Sequence, residues 1–164
     1  MLVFQGGNSM AYVRIAWDRA LETGYAVVDN QHKQWIASVN AFFEAYQRGK
    51  GSKEVERTLA FLVSYALKHL DDEEELQKKY SYPGHLEHKQ VHAVFKELAH
   101  NLVATMRCNG PTDEVINYVC VTISQWLINH IKQNDLKMAA YIRNEEQQRI
   151  SQKKGWTRLY DGKN

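Results

Sequence analysis

Proline and glycine are scarce in this chain and sit in a few places, which limits its fold more than any other feature. There are two prolines and nine glycines in 164 residues. Four stretches contain neither: residues 25–48, 52–82, 85–109 and 112–154. Between them stand Gly49 and Gly51, then Pro83-Gly84, then Gly110-Pro111. These two residue types are the strongest local breakers, so each stretch is expected to be one element. Strands rarely run so long, and connections of two or three residues make neighbouring long helices antiparallel. Pro83 and Pro111 each precede a periodic segment, where a missing N–H costs least. The expected fold is all-α: an antiparallel up-down-up-down four-helix bundle. The fourth stretch is too long for one helix of such a bundle. It is expected to break near Asn134 and resume from about Asp135 as a short additional C-terminal helix.

The length fits one domain with a core that needs no disulfide framework. The 44% apolar content is that of a globular chain. Twenty-one basic and nineteen acidic residues leave a net charge of +2, which gives no electrostatic case for a nucleic-acid partner. Cys108 and Cys120 do not make a secreted scaffold and read as unpaired thiols of a reducing compartment. No apolar run is long enough to span a membrane. No charged-then-apolar leader opens the chain, so the expected location is the cytoplasm. Residues 1–9 are Gly-rich and without period, and read as a cloning remnant ahead of Met10.

Helical periodicity marks the inward faces. The first stretch aligns His32, Ile36, Val39, Phe43 and Tyr46. The second aligns Leu62, Ala66, His69, Leu70, Glu73 and Leu76. The third aligns His88, Val91, His92, Phe95, Leu98, Ala99 and Leu102. The fourth aligns Val115, Val119, Ile123, Trp126, Leu127, His130 and Ile131. These are the i, i+3, i+4, i+7 patterns of core-facing helices. The stripes are not purely apolar, because every one of them carries histidine. A single core histidine is more often a satisfied packing residue than a ligand. Histidines from four helices aimed at one interior, with a carboxylate among them, are a stronger coincidence, since a buried carboxylate is costly unless paired or metal-bound.

His69 and Glu73 are four apart, as are His88 and His92. That spacing leaves two side chains about 40° apart on one helix face, the arrangement for two ligands on one centre. In the acidic run 71–75, Asp71, Asp72, Glu74 and Glu75 read as a solvated face. Glu73 differs because its angle matches His69 and Leu76. His130 and Asp135 are five apart, about 140° around an ideal helix, and share a face only if the helix ends or bulges between them. Asp135 could equally cap the following helix. Imidazole and carboxylate together suit iron, zinc, copper or nickel. Seven candidate ligands exceed one tetrahedral zinc and suggest two metals.

The pattern of Trp17, Gly24, Asp29-Asn30-Gln31-His32, His69-x3-Glu73, Tyr82-Pro83 with His88-x3-His92, and Trp126-Leu127-Ile128-Asn129-His130-Ile131 with Asp135 resembles the hemerythrin family, specifically its bacterial members. It covers residues 17–141. The resemblance implies a non-haem di-iron site that binds O2 reversibly. It implies that His88, His92 and His130 hold one iron and that His32 and His69 hold the other. Glu73, Asp135 and an oxo or hydroxo group would bridge the two, so Asp135 becomes a ligand. That set leaves one coordination position open, on the iron with two histidines. Trp35, Leu70, Trp126, Leu127 and Ile131 fall where the resemblance places the apolar lining of the O2 pocket. Trp35 is bulkier than the aliphatic residue expected there. His85 reads as a surface residue at a helix start rather than a partner of His88, and His100 as exposed. Trp17 and Trp156 read as packing residues.

The implied organisation is an N-terminal extension (1–10), the di-iron bundle (11–143) and a polar tail or linker (144–164). The leading function is reversible O2 binding for storage, delivery or scavenging, without enzymatic activity. An alternative is an O2- or redox-sensing module acting on a fused or separate signalling partner. A third is a di-iron peroxidase or oxidase, for which the sequence offers no further acid, base or cleft.

Overall fold

The computed structural model describes residues 14–160, with side chains as far as residue 153. The expectations for residues 1–10 and for Trp156 lie outside the described backbone or side chains. Helix α1 spans Ala26–Gln47, α2 Ser52–Lys79, α3 His85–Asn109, α4 Asp113–His130 and α5 Leu136–Tyr160. Among the described residues there is no strand. α1 packs on α2, α2 on α3, α3 on α4 and α4 on α1, which closes the expected four-helix ring.

The breakers act as the sequence requires. Gly110 follows α3 with φ 71, a left-handed conformation that favours glycine, and its N–H returns to the Met106 carbonyl. Two residues later the Thr112 side chain accepts from Val115 N–H and starts α4. In the first turn of α1, the buried Asp29 carboxylate accepts from Thr23 N–H, Thr23 Oγ–H and Gly24 N–H, which fixes the entry of the chain.

The antiparallel path divides the interior in two. His32, His69, Glu73, His88, His92 and His130 fall near the start of α1, the end of α2, the start of α3 and the end of α4, all at one end of the bundle. The other end is filled by Phe42, Phe43, Val55, Leu59, Leu102, Met106, Ile116 and Val119, all buried.

The fourth stretch does not break near Asn134. Residues Ile131–Asp135 form a π turn that joins α4 to α5 without interruption. The bulge absorbs the extra residue that made the stretch look discontinuous. α5 is correspondingly long, 25 residues rather than a short appendage, and residues 144–160 of the expected tail belong to it. Its first turns bury Met138 and Ile142 with Val28 and Tyr80. The Tyr80 hydroxyl donates to Glu146, tying α5 to the end of α2.

Candidate metal centre

The structure brings all seven proposed ligands to one place, each no more than 3% exposed. They form two groups, Glu73 with His88, His92 and His130, and His32 with His69, Glu73 and Asp135. Within each group the ligating atoms lie within 4.8 Å of one another, so each could hold a metal ion. His88 Nε2 and His92 Nε2 each stand 3.1 Å from His130 Nε2. Ligands about 2.1 Å from one ion and at right angles to each other lie about 3 Å apart.

Both carboxylates face both groups. Glu73 Oε1 lies 3.9 Å from His32 Nε2 and 3.7 Å from His69 Nε2. Its Oε2 lies 3.8, 3.4 and 3.7 Å from Nε2 of His88, His92 and His130. Asp135 Oδ2 lies 3.2 Å from His32 Nε2, while Oδ1 lies 3.2 Å from His88 Nε2 and 3.0 Å from His130 Nε2. Asp135 reaches this position because the π turn brings a residue five beyond His130 back to the same face, a common use of such bulges at functional sites.

The donor set fits metal better than it fits itself. Nε2 of His32 and His69 and all four oxygens of Glu73 and Asp135 are buried and make no hydrogen bond. Uncompensated polar atoms of this kind cost free energy, and here they converge on one point. Burial drives the His69 imidazole down to about 4, leaving it neutral and able to ligate. Burial and Asp135 raise Glu73, but His69, His130 and His92 outweigh them and hold it at about 2. Burial also works against ionised Asp135, which His130, His32 and His88 keep well below the usual carboxylate range. Burial lowers His130, yet Asp135 and Glu73 raise it to about 9. That single proton offsets only part of the charge of the two carboxylates, a role a metal cation would take over.

The outer nitrogens are mostly held. His69 Nδ1–H donates to Gln31 Oε1 at 3.0 Å, and Gln31 Nε2 donates to Asp72. His92 Nδ1–H donates to Glu74 Oε1 at 3.2 Å. Gln77 stands between His88 Nδ1 and His85 Nδ1, 2.9 Å from each. Gln77 Nε2 faces His88 Nδ1 and Oε1 faces His85 Nδ1; with His88 Nε2 on a metal, Nδ1 carries the proton, and the amide accepts it once flipped to present its oxygen. Asn134 approaches His130 Nδ1 at 3.4 Å. His32 Nδ1 is buried without a partner.

Two sequence readings change. Glu74 is not solvated: it is 7% exposed, because one residue past Glu73 on α2 faces α3 rather than water. His85 is half-buried and is joined to His88 through Gln77. Gln31, Gln77 and Phe95 also escaped notice as site residues. Gln31 stands beside His32, and Gln77 lies one helical turn beyond Glu73, but only tertiary packing identifies their partners. His100 is exposed, as expected.

An aromatic wall flanks the ligands. Trp126 stacks on His130 with ring centroids 4.3 Å apart and planes at 14°. Phe95 packs on Trp126 at 4.1 Å, and Trp35 meets both Phe95 and the His69 ring edge-on. Trp35, Leu70, Leu127 and Ile131 are buried and Trp126 half-buried. Trp17 lies parallel to His32, 6.4 Å away.

Residues 23–142 match the family model described as the hemerythrin HHE cation binding domain. The chain is 29% identical over 145 residues to the bacteriohemerythrin of Pseudomonas paraeruginosa, covering 87% of this chain and 92% of that protein. It is 30% identical over the same length to the bacteriohemerythrin of Stenotrophomonas maltophilia, with the same coverage of both chains. It is 31% identical over 121 residues to the myohemerythrin of Theromyzon tessulatum, covering 74% of this chain and 88% of that one.

Proposed function

The chain belongs to the hemerythrin family, and from that premise we propose that it binds O2 reversibly at a pair of non-haem irons, for storage, delivery or scavenging. His88, His92 and His130 would hold one ion, His32 and His69 the other, and Glu73 and Asp135 would be shared between the two. The observation that carries this reading is the sharing of the carboxylates, each with one oxygen toward either histidine group.

A ferrous pair in this setting supplies the two electrons and the open coordination position that O2 binding requires. The chain does the rest. Five neutral imidazoles and two carboxylates make a ligand set with fewer anions than the Glu-rich di-iron bundles. Such a set stabilises high oxidation states less, which favours reversible binding over oxygen activation. The hydrogen bonds from His69 and His92 to Gln31 and Glu74 keep Nδ1 protonated and aim Nε2 inward. Trp35, Leu70, Trp126, Leu127 and Ile131, joined by Phe95, line the pocket and exclude the water and protons that promote irreversible oxidation. The bulk of Trp35 narrows that pocket.

The test is to reduce the protein anaerobically, cycle the O2 pressure and follow the absorption spectrum. The reading predicts a change that reverses on evacuation; one irreversible bleaching or oxidation step contradicts it. One observation favours a second reading, an O2 or redox sensor. Asp135 ends the π turn that leads directly into α5, whose residues 147–153 are exposed. A change at the site therefore has a route to a helix available to a partner. Amide exchange along α5 that differs with and without O2 supports it, and identical exchange rejects it.

A further inference from the structure

The ligating histidines do not have equivalent supports. Behind His69 and His88 stand the neutral amides of Gln31 and Gln77. Near His130 stands the amide of Asn134, and behind His32 no hydrogen-bond partner. His92 alone has a carboxylate, Glu74, whose Oε1 lies 3.2 Å from Nδ1. The opposite edge of the same ring, Nε2, lies 3.4 Å from Glu73 Oε2 and 3.1 Å from His130 Nε2. The imidazole thus connects a buried anion directly to the three-histidine group.

The anion is itself balanced. Lys96, one turn past His92 on α3, brings Nζ to 3.1 Å from the same Glu74 Oε1 and to 2.7 Å from Asp71 Oδ1. The Lys96 side chain is 31% exposed and that of Asp71 66%, so water screens this outer pair more than it screens the Glu74 side chain, at 9%. A carboxylate accepting from the outer N–H of a ligating imidazole makes that ligand more basic and more anionic. It stabilises a ferric ion more than a ferrous one, because the extra positive charge interacts with it more strongly. A cation on the carboxylate withdraws part of that effect.

We propose that Glu74 is a positioning residue that acts through His92 to lower the reduction potential of the iron held by His88, His92 and His130, with Lys96 setting how far. This rests on the di-iron reading above. It also gives the two ions different electronic supports, beyond the difference in their histidine count. The ion of the His32 and His69 group has no carboxylate behind its imidazoles among the described residues.

Two substitutions of opposite sign test it in the full chain loaded with iron. Glu74→Gln keeps the shape and an acceptor oxygen but removes the charge. Lys96→Met keeps the apolar stem and removes the cation. Iron per chain is counted first, and then the potentials are measured by mediated titration. Glu74→Gln is expected to hold two irons and to weaken ferric relative to ferrous binding about tenfold, raising one potential by about 59 mV. Lys96→Met is expected to shift the same potential downward, by about threefold in that ratio. Shifts of the same sign, or unmoved potentials at full iron content, overturn the proposal. If Glu74→Gln fails to fold or to hold iron, Lys96→Met decides: a lowered potential supports the proposal, and an unchanged one overturns it. A wild-type chain with fewer than two irons instead overturns the di-iron reading, before any variant is compared.

Discussion

The two ends of the bundle are built from the same four helices and obey opposite rules. At one end Phe42, Leu59, Leu102, Met106 and Ile116 fill the interior with side chains that need nothing beyond one another. At the other, five imidazoles and two carboxylates occupy equivalent inward positions, with seven of their polar atoms left without hydrogen bonds. Burial of apolar area stabilises the first end by about 25 cal/mol per Å2. At the second, burial opposes folding until a cation is bound. The apolar end therefore secures the fold, which allows the ligand end to hold atoms in positions that only metal satisfies.

Breaking the ligand end is expected to give the largest effect. His130→Ala should lose an iron or all O2 response while far-ultraviolet circular dichroism stays that of a helical bundle. An unchanged O2-dependent spectrum would contradict the ligand assignment. Breaking the apolar end should do the reverse. Phe42 lies ten residues along α1 from His32, about 15 Å. Phe42→Ala is expected to cost about 3–5 kcal/mol in denaturant unfolding with iron per chain unchanged. Loss of iron without loss of stability would erase the distinction between the ends.

Chelation sharpens the comparison by removing the cation alone. Metal that binds only the folded state stabilises by mass action, by about 4 kcal/mol at a thousandfold excess over Kd. The apo-protein should melt lower, and its amide exchange should quicken first around His69, His92 and His130, leaving residues near Leu102 and Ile116 protected. Uniform loss of protection would mean the two ends do not behave as separate regions. The smallest effect is at the cysteines. Burial pushes the Cys120 thiol up to about 12, so at pH 8 it stays protonated and unreactive. Cys108 is exposed. Alkylation of the native protein should modify one thiol quickly and the second only after unfolding.

Much of this was legible in the sequence, because both ends depend on helical period. Pro83, Gly84, Gly110 and Pro111 mark the connections, and the i,i+4 pairs put His69 with Glu73 and His88 with His92. Asp135 was legible as a contradiction: residues five apart do not share a face of a regular α-helix, and the π turn is the solution the chain adopts. Glu74 was misread because a run of acids gives no sign of which member faces a neighbouring helix. Gln31, Gln77 and Phe95 stayed hidden for a related reason. Their partners lie on other helices, and periodicity describes one helix at a time. The reach of α5 was missed because its exposed turns carry no apolar stripe, the signal by which the other helices were found.

The central claim is that two histidine groups sharing two carboxylates make one two-metal centre. Titrating the anaerobic apo-protein with ferrous iron and counting the metal retained after gel filtration tests it most directly. The account predicts two irons per chain, one for each ligand group, and loss of at least one in Asp135→Asn. Saturation at a single iron, with Asp135→Asn indistinguishable from the unaltered chain, would contradict it.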